Sequence, residues 1–207
     1  MGRSVVARLG ALQEELRGCR ACPRMVGPVI VGRPVDSRIL LIGQAPGPRE
    51  GAFGRPFAWT AGRTLFRWFA GLGVEEEAFR SRVYVAAVCR CFPGKTAAGG
   101  DRVPDRSEVE QCGAWMAREV ALLRPALLLP VGKLAIDLVL GPAAKGLEQS
   151  VGRVQRATLH GVTADVIALP HPSGLSSWWK VEPGRTLLAR ALQALGGHPV
   201  WCRTFPP

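Results

Sequence analysis

Apolar residues first recur at helical spacing: Val5, Leu9, Leu12 and Leu16 are separated by polar residues, which predicts an amphipathic helix over 4–17 running into Cys19. Four short apolar runs follow, at 38–42, 83–88, 126–131 and 164–169. Each is too short for a typical helix and is largely aliphatic, as strands buried on both faces are. Helical patterns lie over 61–71, 105–123, 133–140 and 183–195, the second opened by Pro-Asp-Arg-Ser-Glu. This alternation predicts an α/β fold, a three-layer αβα arrangement around a central, mainly parallel four-stranded sheet. With no repeat, low-complexity linker or internal boundary, residues 1–207 read as a single domain.

In such a sheet the ligand site lies beyond the carboxyl ends of the strands. The segments there are rich in Gly and Pro: GQAPG (43–47), CRCFPGK (89–95), Gly132-Lys133 and the stretch from Pro170 to Trp179. The loop from Pro93 to Pro104 is the one long enough to move. The first segment lacks the spacing of a phosphate-binding loop. Together with GRPF (54–57) it predicts a narrow pocket of backbone donors with one aromatic face, Phe57, suited to a flat heterocycle. The last segment can aim the His171 imidazole into the cleft, hold phosphate through Ser173 and the N–H groups around Gly174, and wedge Leu175 between base steps. Trp178 and Trp179 read equally as base-stacking platforms or as cover for the helix that follows.

Charge narrows the partner. Against 16 Asp and Glu stand 27 Lys and Arg, a net charge of +11, which favours a polyanion, with nucleic acid foremost. Arg49, Arg55, Lys95, Arg102, Lys133 and Lys180 fall near the strand ends, where they would track phosphates. Charges at Arg3, Arg8, Glu14, Glu15 and Arg17 interrupt any apolar signal core, and no later stretch reaches transmembrane length free of charge. The expectation is a soluble, cytoplasmic protein with no membrane partner. In that reducing setting the six cysteines are metal ligands or bystanders before they are disulfides. Cys19-x-x-Cys22 can hold one metal or one cluster edge, and the 89/91 region with Cys112 can complete a four-cysteine site for zinc or [4Fe–4S]. Cys89 suits a small buried hydrophobe and Cys202 a tail residue.

GQAPG (43–47), GRPF (54–57), AVCRCFPG (87–94) and HPSGL (171–175), with CRAC (19–22) upstream and Cys112 downstream, also form a set. In this order and spacing the chain resembles the uracil-DNA glycosylase superfamily, most closely its iron–sulfur branch, family 4. Members of that branch carry Gly-Glu-Ala-Pro-Gly, Gly-Arg-Pro-Phe, Asn-Val-Val-Lys-Cys-Arg-Pro-Pro and His-Pro-Ser. The resemblance implies a [4Fe–4S] cluster on Cys19, Cys22, Cys91 and Cys112, since gapless comparison puts Cys91, and not Cys89, at the ligand position. It implies a monomer that flips uracil out of DNA against Phe57, holds it with the Gly43-Gln44-Ala45 backbone and grips a carbonyl with His171. The N-glycosidic bond is then hydrolysed, leaving an abasic site.

Two positions depart from that pattern. The acidic residue of the first loop is Gln44, which can position water but cannot act as a general base near neutral pH. Glu50, six residues on, is the nearest carboxylate that might replace it, or else a solvated loop charge. The Asn that reads the uracil edge falls at Ala87, removing an amide that separates uracil from cytosine and opening the range to other deaminated bases. Two rivals to a glycosylase with His171, Gln44 and Glu50 as catalytic residues follow. One is a non-catalytic lesion-binding protein with the same fold and cluster; the other is a zinc-bearing nucleotide-processing protein.

Overall fold

The computed structural model describes residues 4–141, 144–174 and 176–206. Helix α1 (Val5–Arg17) is capped by Ser4, whose hydroxyl accepts from the Ala7 N–H, and buries Leu9, Leu12 and Leu16. That face packs on α5 (Arg106–Leu123). Strands β1 (Ile39–Gly43), β2 (Tyr84–Ala87) and β3 (Leu127–Pro130) are buried along their whole lengths, as continuous apolar runs require. Each Leu or Ile removed from water there contributes about 1.5–3 kcal/mol.

Between β1 and β2 lie α2 (Glu50–Phe53), α3 (Thr60–Ala70) and α4 (Glu76–Arg82). After β3 come α6 (Lys133–Leu140), α7 (Leu147–Ser150) and the strands β4 (Val154–Leu159) and β5 (Val162–Ile167). A 3-10 turn at Trp178–Lys180, α8 (Gly184–Gly196) and α9 (Pro199–Thr204) complete the order.

The sheet has five strands in the order β2-β1-β3-β5-β4, not the four read from the sequence. Strands β2, β1, β3 and β5 run parallel, and β4 pairs antiparallel with β5. The extra strand is an edge. Its residues alternate between exposed and half-buried, so it has no apolar run to mark it. It is joined to β5 by the two-residue turn His160-Gly161, with φ of 46° and 80°, as a tight hairpin of this twist requires.

Because four strands are parallel, their carboxyl ends face one way. Gly43 at the end of β1 lies opposite Ala87 at the end of β2. The ladder runs one step further, with the Val88 N–H donating to the Gly43 carbonyl at 2.8 Å and the Cys89 N–H to the Gln44 carbonyl at 3.0 Å. On the other side, the Gly132 N–H donates to the Leu169 carbonyl at 2.9 Å, bringing the segments after β3 and β5 together.

Candidate active site

Beyond these strand ends opens a cavity of about 470 Å³, in the size range of small-molecule sites. Gly43, Gln44, Ala45, Glu50, Phe57, Ala87, His171 and Ser173 all line it, so residues scattered over 131 sequence positions meet at one place. Phe57 adopts a φ of 55° and its ring lies so close to Gly43 that a Cβ there would stand 2.8 Å from it. Any side chain at position 43 would push the ring out of the pocket. Arg80 secures the turn from behind, donating to the Pro56 and Phe57 carbonyls at 3.0 Å each.

His171 is held against Gly132, whose φ of 86° and lack of a side chain admit the ring; a Cβ there would stand 3.0 Å from its Cδ2. The Ser173 N–H donates to its Nδ1 at 3.3 Å. Burial lowers the imidazole pKa below its ordinary value, with Asp101 pulling weakly the other way. A neutral ring whose Nδ1 accepts carries its proton on Nε2, which makes that edge a hydrogen-bond donor.

Glu50 is no solvated loop charge. It is buried, and its carboxylate accepts from the Gly47 N–H at 3.2 Å and the Ala58 N–H at 3.1 Å. Desolvation raises its pKa, and the backbone donors of Gly47, Ala58 and Phe57 oppose the shift. The side chain therefore staples the 43–47 loop to the Phe57 turn.

A second carboxylate lining the cavity, Asp101, belongs to no motif of the sequence. It pairs with Lys95 at 2.5 Å across the Pro93–Pro104 loop. That loop is closed on itself: the Thr96 N–H donates to the Gly100 carbonyl at 2.8 Å and the Arg102 N–H to the Gly94 carbonyl at 2.9 Å. Arg102 then binds Glu108 through both nitrogens at 2.7 Å, tying the loop to the capping box of α5 formed by Asp105 and Glu108. The only sequence signal for Asp101 is its position in a long Gly-rich loop after a strand.

The basic residues divide. Arg49, Lys95 and Arg102 line the cavity. Arg55 lines a different cleft and pairs with Glu76 and Glu77, Lys133 pairs with Asp137 along α6, and the Lys180 amine donates to the Gly174 carbonyl at 3.1 Å. Leu175 lies outside the described residues. Trp178 and Trp179 pack on the core, and the Trp179 ring meets Trp68 edge-on at 5.3 Å, which favours cover over a stacking platform.

The cysteines form a second centre. Cys19, Cys22, Cys91 and Cys112 all line one cavity of about 310 Å³, together with Arg20 and Arg90. The loop after α1 is pinned there by an antiparallel bridge between Val26 and Phe92 and by the Ile30 N–H donating to the Arg90 carbonyl at 2.7 Å. Burial and the facing thiols push Cys91 up to about 11, and Cys22 is raised for the same reasons. Cys112 is lowered by a hydrogen bond from Cys89, which keeps its own proton, and by Arg90. Arg90 is buried, ion-paired with Glu119, and its Nη1 has no partner among the described residues. Four thiols around one cavity with an unsatisfied guanidinium fit an anionic, thiolate-bound cluster. Among the described residues no three His, Cys, Asp or Glu side chains close on a single ion.

A family model described as the uracil DNA glycosylase superfamily matches residues 29–196, spanning both strand-end motifs and the His171 turn. The chain belongs to the uracil-DNA glycosylase superfamily. Among curated members, a type-4 uracil-DNA glycosylase of Pyrobaculum aerophilum is 27% identical over 173 residues, covering 81% of this chain and 84% of the relative. A type-4 enzyme of Archaeoglobus fulgidus is 28% identical over 142 residues, covering 67% of each chain. A type-5 uracil-DNA glycosylase, also of Pyrobaculum aerophilum, is 28% identical over 87% of each. Among the described residues of this superfamily member, no helix is long and apolar enough to cross a membrane.

Proposed function

We propose that the protein is a DNA glycosylase of base-excision repair that flips out uracil, or a related deaminated base, and hydrolyses its N-glycosidic bond. The observation that carries this reading is His171: a half-buried imidazole, held neutral by desolvation, with Nδ1 accepting from Ser173, set in the same cavity as Phe57 and the paired ends of β1 and β2. An extruded pyrimidine stacks on Phe57, and the backbone of Gly43, Gln44 and Ala45 meets its edge. As the glycosidic bond breaks, negative charge grows on the base while the sugar becomes oxocarbenium-like. The Nε2–H of His171 donates to the carbonyl oxygen that takes up this charge, as oxyanion-hole donors do.

Gln44 orients the attacking water. Asp101, which lines the same cavity and is more exposed than Glu50, takes its proton, while Glu50 keeps the pocket in shape through Gly47 and Ala58. Ala87 leaves the uracil edge without an amide reader, so the pocket accepts more than one deaminated base. Ser173, Gly174 and Leu175 hold the DNA strand beside the lesion, with Arg102 and Lys95 near the phosphates and Arg55 and Lys133 further out. The helices cover both faces of the sheet in three layers. Cys19, Cys22, Cys91 and Cys112 would hold a [4Fe–4S] cluster, which would supply a rigid cross-link between the loop after α1, the segment after β2 and α5. The enzyme acts on the genome as a cytoplasmic monomer.

The test is strand scission after alkali, on labelled oligonucleotides with one uracil opposite G, opposite A or unpaired, alongside hypoxanthine and xanthine substrates. Cleavage that falls about 10²–10³-fold in His171→Ala supports the enzyme. Tight DNA binding with no cleavage of any substrate would instead favour the lesion-binding reading.

A further inference from the structure

The turn that carries Phe57 is flanked by two large aromatic side chains that do not enter the core. Phe53 ends α2 and is 50% exposed; Trp59 precedes α3 and is 39% exposed. Their rings stack on each other, with centroids 5.8 Å apart and planes 28° apart. The Arg49 guanidinium lies 4.8 Å and that of Arg63 5.6 Å from the indole centroid. Arg49 and Trp59 also line the cavity, so the stack borders its mouth.

Leaving two aromatic rings in water forgoes burial that the adjacent core could have supplied. Neither arginine has a carboxylate partner among the described residues, although Arg55, between them in the sequence, pairs with Glu76 and Glu77. Flat apolar faces beside uncommitted guanidinium groups match a ligand that is a planar ring carrying an anion, which is a nucleotide. The Glu50 staple, reaching Gly47 and Ala58, fixes the segment on both sides of Arg49 and Phe53, so the stack is presented rigidly.

We propose that Phe53 and Trp59, with Arg49 and Arg63, form a stacking subsite for an unpaired base next to the flipped nucleotide on the same DNA strand. This deepens the glycosylase reading and rests on it for the placement of the flipped base. The incoming base takes the place of a guanidinium on the aromatic stack, and the displaced arginine meets the phosphate. A base paired in a duplex cannot present its face there, so the subsite favours single-stranded or locally opened DNA.

Binding of a labelled oligo-dT without uracil, followed by fluorescence anisotropy in the full-length protein, tests this. Trp59→Ala and Phe53→Ala should each weaken binding by about tenfold, the usual worth of one stacked base, and Trp59→Phe should restore most of the loss. Arg49→Ala with Arg63→Ala should flatten the dependence of log affinity on log salt by about 0.7 for each phosphate that is no longer neutralised. Wild-type affinity in both aromatic variants would overturn the subsite, as would an equal loss on fully paired duplex. The oligonucleotide contains nothing to excise. A protein that cleaves no substrate therefore still reports on the subsite, and an active glycosylase whose Trp59→Ala variant binds oligo-dT normally refutes the subsite alone.

Discussion

The imidazole of His171 loses hydration between Gly132 and the Ser173 turn, and its pKa falls below the ordinary histidine value of about 6.5. If His171 donates from Nε2 as proposed, excision needs the neutral ring, and single-turnover rates should hold steady from neutral pH downward and decline only below about pH 6.5. An acid limb centred at or above neutrality would mean that the working form is the imidazolium. At Glu50 the question is support or chemistry. Replacing it by Gln sets an amide NH₂ against one of two backbone donors, Gly47 or Ala58, and should cost about 1–3 kcal/mol in urea unfolding. Full stability with abolished turnover would return Glu50 to the role of catalytic base.

Elements differ in how plainly they are written in the chain. Of the four parallel strands, β1, β2 and β3 are legible because they are buried along their whole lengths and read as short apolar runs, while β5 is marked by its apolar Val166-Ile167 end although Thr163 is exposed and Asp165 half-buried. Helix α5 is legible from its capping box, in which Asp105 accepts from the Glu108 N–H and Glu108 returns to the Asp105 N–H at 2.8 Å. Strand β4 is not, because an edge strand with exposed Val154, Arg156 and Thr158 looks like a polar loop until β5 is beside it. The short helices α2, α4, α7 and α9 span too few residues to show a period. The 93–104 loop reads as mobile because it is long and contains Gly and Lys, yet Arg102 anchors it to Glu108 on α5.

At the scale of the whole molecule the cysteine centre joins the loop after α1, the segment after β2 and the second turn of α5. Cys91→Ser should abolish the broad visible absorbance of an iron–sulfur protein, whereas Cys89→Ser, at a thiol that hydrogen-bonds Cys112 but does not line the cysteine cavity, should keep it. Retained absorbance in Cys91→Ser and loss in Cys89→Ser would reverse the assignment of the ligand.

The sequence by itself determined the α/β alternation, the strand-end motifs, the cysteine set and the strongly basic charge, since each rests on local pattern or composition. Only the tertiary structure decided which polar groups meet. Glu50 became a buried staple because Gly47 and Ala58 fold over it, Asp101 entered the cavity because its loop closes back on Glu108, and Phe53 met Trp59 across a turn. Contacts between residues on different loops depend on packing that no single stretch encodes, and such contacts make the site.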